Sequence, residues 1–344
     1  MATWRNEIVA LSAEIGSNPL LVQGAGGNIS IKQDGLLWIK ASGTWLADAE
    51  TRDLFVPTDL AVLRSGIATR LADPVGPAHR DGGPTGLRPS IETSLHALLP
   101  HRVVVHVHSV ATIALAVRDD GQAVFGRALH GLRWHWIPYH KPGPTLTQVV
   151  ARALEDGAAD ILVLENHGLV VGAPSAAAAR ALVAEIEGRI GGPPRPAGVP
   201  DPARLRALAD ASPFRLPRHE AVHGIAIDPL SLCRAYQGSL YPDHVVFLGP
   251  GATVVEPDRF QPACADWRSR EHLPPALLLV PGLGALVRRD IDAGAEEMAL
   301  CLALVLERIP DHMTLKYLRP QDEAELIGWD AERYRRTLVR PPSP

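Results

Sequence analysis

His106 and His108, separated by a single valine, close the β-branched run Arg102-Val103-Val104-Val105. Alternate side chains leave the same face of an extended strand. The two imidazoles can therefore converge on one divalent ion, at about 2.0–2.1 Å each for zinc. A third ligand must come from elsewhere, and His167 is the natural candidate: it sits in the Gly-bearing turn Glu165-Asn166-His167-Gly168, directly after the apolar run Ile161–Leu164. Each also has a plainer explanation. The first two can be one half-buried and one surface histidine, and His167 a turn histidine satisfied by backbone.

Glu92 lies at the start of an expected helix shortly before the histidine pair, in Arg88-Pro89-Ser90-Ile91-Glu92-Thr93. A carboxylate beside a divalent metal can serve as base or acid; equally, a first-turn glutamate is favoured by capping and by the helix dipole. Two Gly-rich segments, Gly24-Ala25-Gly26-Gly27-Asn28 and Ala41-Ser42-Gly43-Thr44, suit turns that offer N–H groups and hydroxyls to a ligand, or merely tight connections. Further along, Asp243 and His244 follow Tyr241-Pro242 as a deliberate-looking titratable pair. They read either as residues at the mouth of the site that set specificity or as a capped polar turn.

The elements that must position these groups follow from hydrophobic spacing. A helix is expected over Thr3–Gly16, strands over Leu36–Lys40, Arg102–His108, Asp160–Leu164 and Leu169–Gly172, and helices near Ser90–Leu99, Val110–Val117, Thr147–Leu154 and Ser175–Gly188. Residues 73–90, rich in Pro and Gly, form a long loop. Because helix and strand alternate in no βαβ rhythm, the class expected is α+β or a three-layer α/β/α arrangement whose mixed sheet is largely antiparallel. The Pro/Gly stretch at 191–203 marks a boundary between a core at 1–190 and a smaller C-terminal α/β unit at 204–344. Val245–Leu248, Ala276–Val280, Ala285–Val287 and a helix over Ala293–Leu306 are that unit's clearest parts.

Composition removes several classes of function. Of 344 residues, 46% are hydrophobic and 21% charged, which is ordinary for a globular chain. A net charge of −4 leaves no basic footprint for nucleic acid. No apolar run approaches the ~20 residues of a membrane span, and the N-terminal residues lack the order of a signal peptide, so a cytoplasmic protein is expected. Three scattered cysteines make neither a disulfide framework nor a thiolate zinc site. Any metal must rest on imidazoles and carboxylates, and 14 histidines supply them.

Gly27-Asn28-Ile29-Ser30, Ala41-Ser42-Gly43-Thr44, Pro89-Ser90-Ile91-Glu92, His106-Val107-His108 and Asn166-His167-Gly168, in this order, resemble the class II aldolase and adducin head-domain family across residues 22–172. The resemblance implies zinc, or another divalent transition metal, on His106, His108 and His167. It implies Glu92 as catalytic acid/base, and Gly27, Asn28, Ser42, Gly43 and Ser90 around a substrate phosphate. For the whole chain it implies an enzyme, a carbon–carbon lyase acting on a small sugar phosphate, and a homo-oligomer. The reaction implied is reversible cleavage of a phosphorylated ketose to dihydroxyacetone phosphate and an aldehyde through a metal-stabilised enediolate, as in fuculose-phosphate aldolase. Epimerisation of a pentulose phosphate and decarboxylation of a sugar-acid phosphate are alternatives on the same groups; a scaffold like the adducin head is an alternative of another kind.

Trp136-Ile137-Pro138-Tyr139, Tyr241-Pro242-Asp243-His244, the Leu279–Gly284 turn and Gly328-Trp329-Asp330-Ala331-Glu332-Arg333-Tyr334 are similar to the aldolase portion of bifunctional rhamnulose-phosphate aldolase/dehydrogenases. One departure stands out. The tyrosine that some family members place over the site from a neighbouring subunit has no match around Val124-Phe125.

Overall fold

The structure, a computed structural model, describes residues Thr3–Ile327 apart from Ala197 and Glu271. The Gly328–Tyr334 motif lies outside the described residues. The described residues fall into two compact units: one comprises Thr3–Ala116 and Asp120–Gly191, the other Gly192–Ile327 with Val117–Asp119.

The first unit begins with α1 (Thr3–Gly16), whose Ile8, Leu11 and Ile15 recur at helical spacing and are buried. β1 (Asn28–Gln33), β2 (Leu36–Lys40) and β3 (Phe55–Asp59) form an antiparallel meander. Asp59 ends it by capping α2 (Leu60–Ala68), its carboxylate accepting the N–H groups of Ala61 and Val62 at 3.0 Å each. After a long loop come α3 (Thr93–Leu98), β4 (Val103–Val107), α4 (Val110–Ala116), α5 (Gly121–Ala128) and β5 (Trp134–Ile137). The unit closes with α6 (Pro144–Glu155), β6 (Ile161–Leu164), β7 (Gly168–Ala173) and α7 (Ala176–Ile190).

These strands make one seven-stranded sheet in the order β3-β2-β1-β4-β7-β6-β5. Every pairing is antiparallel except β5 with β6. The expected mixed, largely antiparallel sheet is therefore present. Strand alternation gives it two apolar faces. Ile29, Ile31, Val103, Val105, Val107, Ile161, Val163 and Val171 pack with α1 and α7, whereas Val104, Leu162, Leu164 and Val170 pack with Leu95 and Leu99 at α3 and Leu146 and Val150 of α6. The result is the three-layer α/β/α arrangement. β3 and β5 hold the two edges, where the missing N–H of Pro57 within β3 is tolerated.

The second unit carries α8 (Pro202–Ala209), β8 (Phe214–Arg215), α9 (Gly224–Ile227), α10 (Pro229–Gln237), α11 (Pro242–Leu248) and β9 (Thr253–Val254). They are followed by α12 (Phe260–Ser269), β10 (Leu277–Val280), β11 (Gly284–Arg288), α13 (Ala293–Leu306) and α14 (Pro320–Ile327). Its sheet has the order β8-β11-β10-β9 and covers a core that includes Leu205, Phe214, Phe260, Leu278 and Leu286. Arg195 of the Pro/Gly stretch is ion-paired to Asp228, donates to the Ser231 hydroxyl at 2.9 Å and reaches the Ile309 carbonyl. That stretch is thus tied to the unit it precedes. No helix among the described residues is long and apolar enough to cross a membrane.

His244 gives this unit a measurable acid sensitivity. Its ring is fully buried in α11 and donates from Nε2 to the Gly251 carbonyl at 3.3 Å. Burial pushes the imidazole down from its ordinary 6.5 to about 4, with the Gly251 bond working the other way. Between those values the unfolded chain binds the proton that the folded chain refuses. Stability from this group is present above pH 6.5 and lost as the pH falls toward 4, amounting to about 3 kcal/mol. Urea unfolding followed from pH 7 to 4 is expected to show a shallower acid decline in His244→Gln than in the unaltered chain; parallel curves would refute the assignment.

Candidate active site

β1, β4 and β7 lie side by side, with Asn28 opposite His106 and His106 opposite Val170. Asn28 and His106 consequently project from one face of the sheet. β4 ends at Val107, and His108 follows it in the two-residue link to α4. The neighbouring Ser109 hydroxyl donates to Glu187 of α7 at 2.5 Å and accepts the Thr112 N–H at 3.0 Å, anchoring the chain that carries His108. His167 comes from the three-residue connection between β6 and β7, in which Leu164 pairs with Gly168 and Asn166 takes the left-handed turn at φ +53°.

These three routes bring His106, His108 and His167 together. One ring nitrogen from each lies within 4.8 Å of the others, and all three residues are buried. Ring centroids are 4.9, 5.0 and 5.2 Å apart with edge-on arrangements, so no pair stacks face to face. His106 Nδ1 lies 3.1 Å from the Leu169 carbonyl, which accepts only from an N–H. That bond fixes the tautomer and leaves the Nε2 lone pair facing His108 Nε2 at 3.2 Å. Facing nitrogen atoms on three buried imidazoles are a donor set for a borderline divalent cation. The residues fit a metal.

Glu92 is the N-cap residue of α3, yet its side chain caps nothing. The carboxylate turns to the histidines instead, with Oε2 3.3 Å from His106 Nε2 and Oε1 3.6 Å from His167 Nε2. Oε1 is buried without a hydrogen-bond partner among the described residues, and Oε2 accepts the Asn28 amide at 2.8 Å. Burial pushes the carboxyl up, but the His106, His167 and His108 rings and the Asn28 amide more than offset it and hold it at about 2. Glu92 is ionised throughout the neutral range.

The Gly-rich turn packs directly on this cluster. A Cβ on Gly26 would meet His108 Nδ1 at 2.8 Å, and one on Gly27, whose φ is +59°, would meet the His106 carbonyl oxygen at 2.8 Å. Only glycine fits both demands. The second turn joins the Glu92 segment: Ala41 bridges to Pro89, and the Ser42 N–H donates to the Arg88 carbonyl at 2.9 Å. Ser42, Gly43 and Ser90 are thereby gathered, and the Ser90 hydroxyl oxygen accepts the Glu92 N–H at 3.3 Å. Asp243 and His244 belong to the second unit, where both are buried in α11 rather than set in a polar surface turn.

Two residues near the cluster escape reading by motif. Lys40 is buried at the end of β2, and its ammonium donates to the Ala25 and Gly27 carbonyls at 2.8 and 3.0 Å, bracing the first glycine turn. Its signal in the sequence is a lysine ending the apolar run Leu36-Leu37-Trp38-Ile39. His96, four residues after Glu92, is the other.

The model of the Class II Aldolase and Adducin N-terminal domain matches residues 6–190, more than half of the chain. The chain belongs to the class II aldolase and adducin family. Among curated proteins, this class II aldolase-family chain is similar to Uncharacterized oxidoreductase YuxG of Bacillus subtilis (strain 168), at 32% identity over 180 residues. That match takes in 48% of this chain and 26% of the other, so the chain spans about a quarter of that relative's length. Among solved structures it is similar to the N-terminal Class II Aldolase domain of a conserved protein from Thermoplasma acidophilum, at 26% identity and a TM-score of 0.48, covering 55% of this chain and 93% of that one. L-fuculose-1-phosphate aldolase from Thermus thermophilus matches at 19% identity and a TM-score of 0.37, covering 54% and 92%.

Proposed function

We propose that the chain is a divalent-metal-dependent aldolase that cleaves a phosphorylated ketose, reversibly, to dihydroxyacetone phosphate and an aldehyde. One observation carries the reading: a buried, ionised carboxylate is held against three convergent histidines by an asparagine amide, in a chain of the class II aldolase family. His106, His108 and His167 would hold the ion, zinc or a chemically similar cation. When bound, the ion acts as a Lewis acid on the substrate's carbonyl and neighbouring hydroxyl oxygens.

Glu92 moves the carbon-bound proton of the dihydroxyacetone phosphate half. In the synthetic direction its ionised carboxylate takes that proton from carbon while the aldehyde oxygen gains one; in cleavage the substrate hydroxyl gives up a proton as the carbon–carbon bond breaks, and the Glu92 carboxyl, having gained a proton, delivers it to carbon. Asn28 keeps Oε2 engaged, so the carboxylate has one fixed bond while both oxygens face the cluster, Oε1 without a hydrogen bond among the described residues. The phosphate falls to the two turns. Gly27, Ser42 and Gly43 offer backbone and hydroxyl donors, Asn28 its second amide hydrogen, and Ser90 the hydrogen of a hydroxyl whose oxygen already accepts from Glu92. Binding the far end of the substrate orients the bond to be broken.

Incubating the zinc-loaded protein with a panel of ketose 1-phosphates, and following dihydroxyacetone phosphate by a coupled assay, tests this. Release of dihydroxyacetone phosphate with an equimolar aldehyde is expected. An epimer or carbon dioxide in its place would assign the same groups to another reaction.

A further inference from the structure

Three residues of β1 point to the α3 side of the sheet at the two-residue period of a strand, and the first two make buried polar contacts to the segment that carries α3. Asn28 reaches Glu92 Oε2, and the Ser30 hydroxyl meets His96 Nδ1 at 2.7 Å. The Lys32 ammonium donates to the His101 carbonyl at 2.7 Å. The partners of the first two, Glu92 and His96, are one helical turn apart and share a face of α3. Ser30 and His96 are wholly inaccessible to solvent, and burial holds the His96 ring neutral, down at about 3.

A helix so placed needs a second fixing point. Normally the N-cap side chain ties down the first turn, but Glu92 occupies that position with its carboxylate turned to the histidines. The bonds of the Glu92 N–H to the Ser90 hydroxyl and of the Thr93 hydroxyl to the Ser90 carbonyl run within the segment, and Arg64 holds the other end, at the Ala97 carbonyl, to α2. α3 is only six residues long. Leu95 and Leu99 press its end onto the sheet, and such contacts are non-directional: they resist separation more than sliding or rotation. A hydrogen bond of 2.7 Å between two buried groups does constrain direction. We infer that the Ser30–His96 hydrogen bond is a positioning device that fixes the first turn of α3 and so sets the reach of the Glu92 carboxylate to the histidine cluster. For its catalytic consequence the inference rests on the aldolase reading above.

The test uses the full chain with Ser30→Ala, His96→Leu, His96→Asn and the Ser30→Ala/His96→Leu pair, each checked for folding by circular dichroism. Supporting groups of this kind change activity about 10–100-fold. Ser30→Ala and His96→Leu are expected each to lower kcat within that range, with KM within about twofold and zinc content unchanged. His96→Asn, whose amide can reoccupy the place of Nδ1, is expected to recover most of the loss. The pair is expected to be no worse than either single change, because both delete one bond. Cobalt(II) substitution supplies a readout that needs no substrate: the visible spectrum of Ser30→Ala should move toward that of Glu92→Gln. A core histidine without this role predicts a lowered melting temperature alone, with kcat and cobalt spectrum intact in the folded Ser30→Ala protein, and that result overturns the inference. An unaltered protein that cleaves no ketose phosphate would refute the aldolase reading while the cobalt comparison still decides the positioning role.

Discussion

Glu92→Gln is expected to lower the cleavage rate about a thousandfold while leaving the protein folded and its metal content unchanged. The replacement keeps the length and shape of the side chain and keeps an oxygen to accept the Asn28 amide, so the fixed contact at 2.8 Å survives. It removes the only capacity that matters for the proton step, since an amide cannot take a proton from carbon. The neighbouring imidazoles reinforce the contrast, because they hold the native carboxyl at about 2 and therefore in its basic form at any working pH. Rates should be measured in both directions, with zinc determined on the same samples. Activity within tenfold of the unaltered protein would remove Glu92 from the proton step; loss of zinc together with activity would make it a ligand in the first place.

His106→Ala is expected to abolish stoichiometric metal binding and, with it, at least a thousandfold of the rate. Of the three histidines, His106 is the most tightly specified. Its backbone pairs with both neighbouring strands, and its Nδ1 is tied to the Leu169 carbonyl. Two imidazoles cannot hold an ion in the tetrahedral arrangement that three make possible. Chelation of the unaltered protein should reproduce the loss, and added zinc should reverse it there but not in the variant. A His106→Ala protein that retains one equivalent of metal would show that the ion, if present, sits elsewhere.

Much of the architecture was legible in local pattern. The helix at Thr3–Gly16 and the strand at Leu36–Lys40 match their expected limits, because apolar spacing and the adjacent turn residues agree. β3 and β5 were not anticipated. The first contains Pro57, which argues against a strand until an edge position is known; the second is the half-buried Trp134–Ile137, without a clean alternation. Glu92 shows a different limit. Its place at a helix start was legible, and that place favoured a capping role; only the tertiary structure shows the carboxylate turned away from the helix.

The same division runs through the candidate site. By itself, the sequence determined that His106 lies in a strand with its side chain on one face and that His167 follows a buried strand in a turn closed by Gly168, since these are consequences of a two-residue period and of backbone freedom within a few residues. The convergence of the three rings was decided by the register of β1, β4 and β7, the bracing of the glycine turn by the pairing of β2, which carries Lys40, with β1, and the bond of Ser30 to His96 by the packing of α3 on the sheet. Ser30 and His96 are 66 residues apart, and His106 and Leu169 are 63. Spacing along the chain carries no information about such pairs, because it is burial of the two apolar faces of the sheet that selects the register, and the register then places the polar atoms.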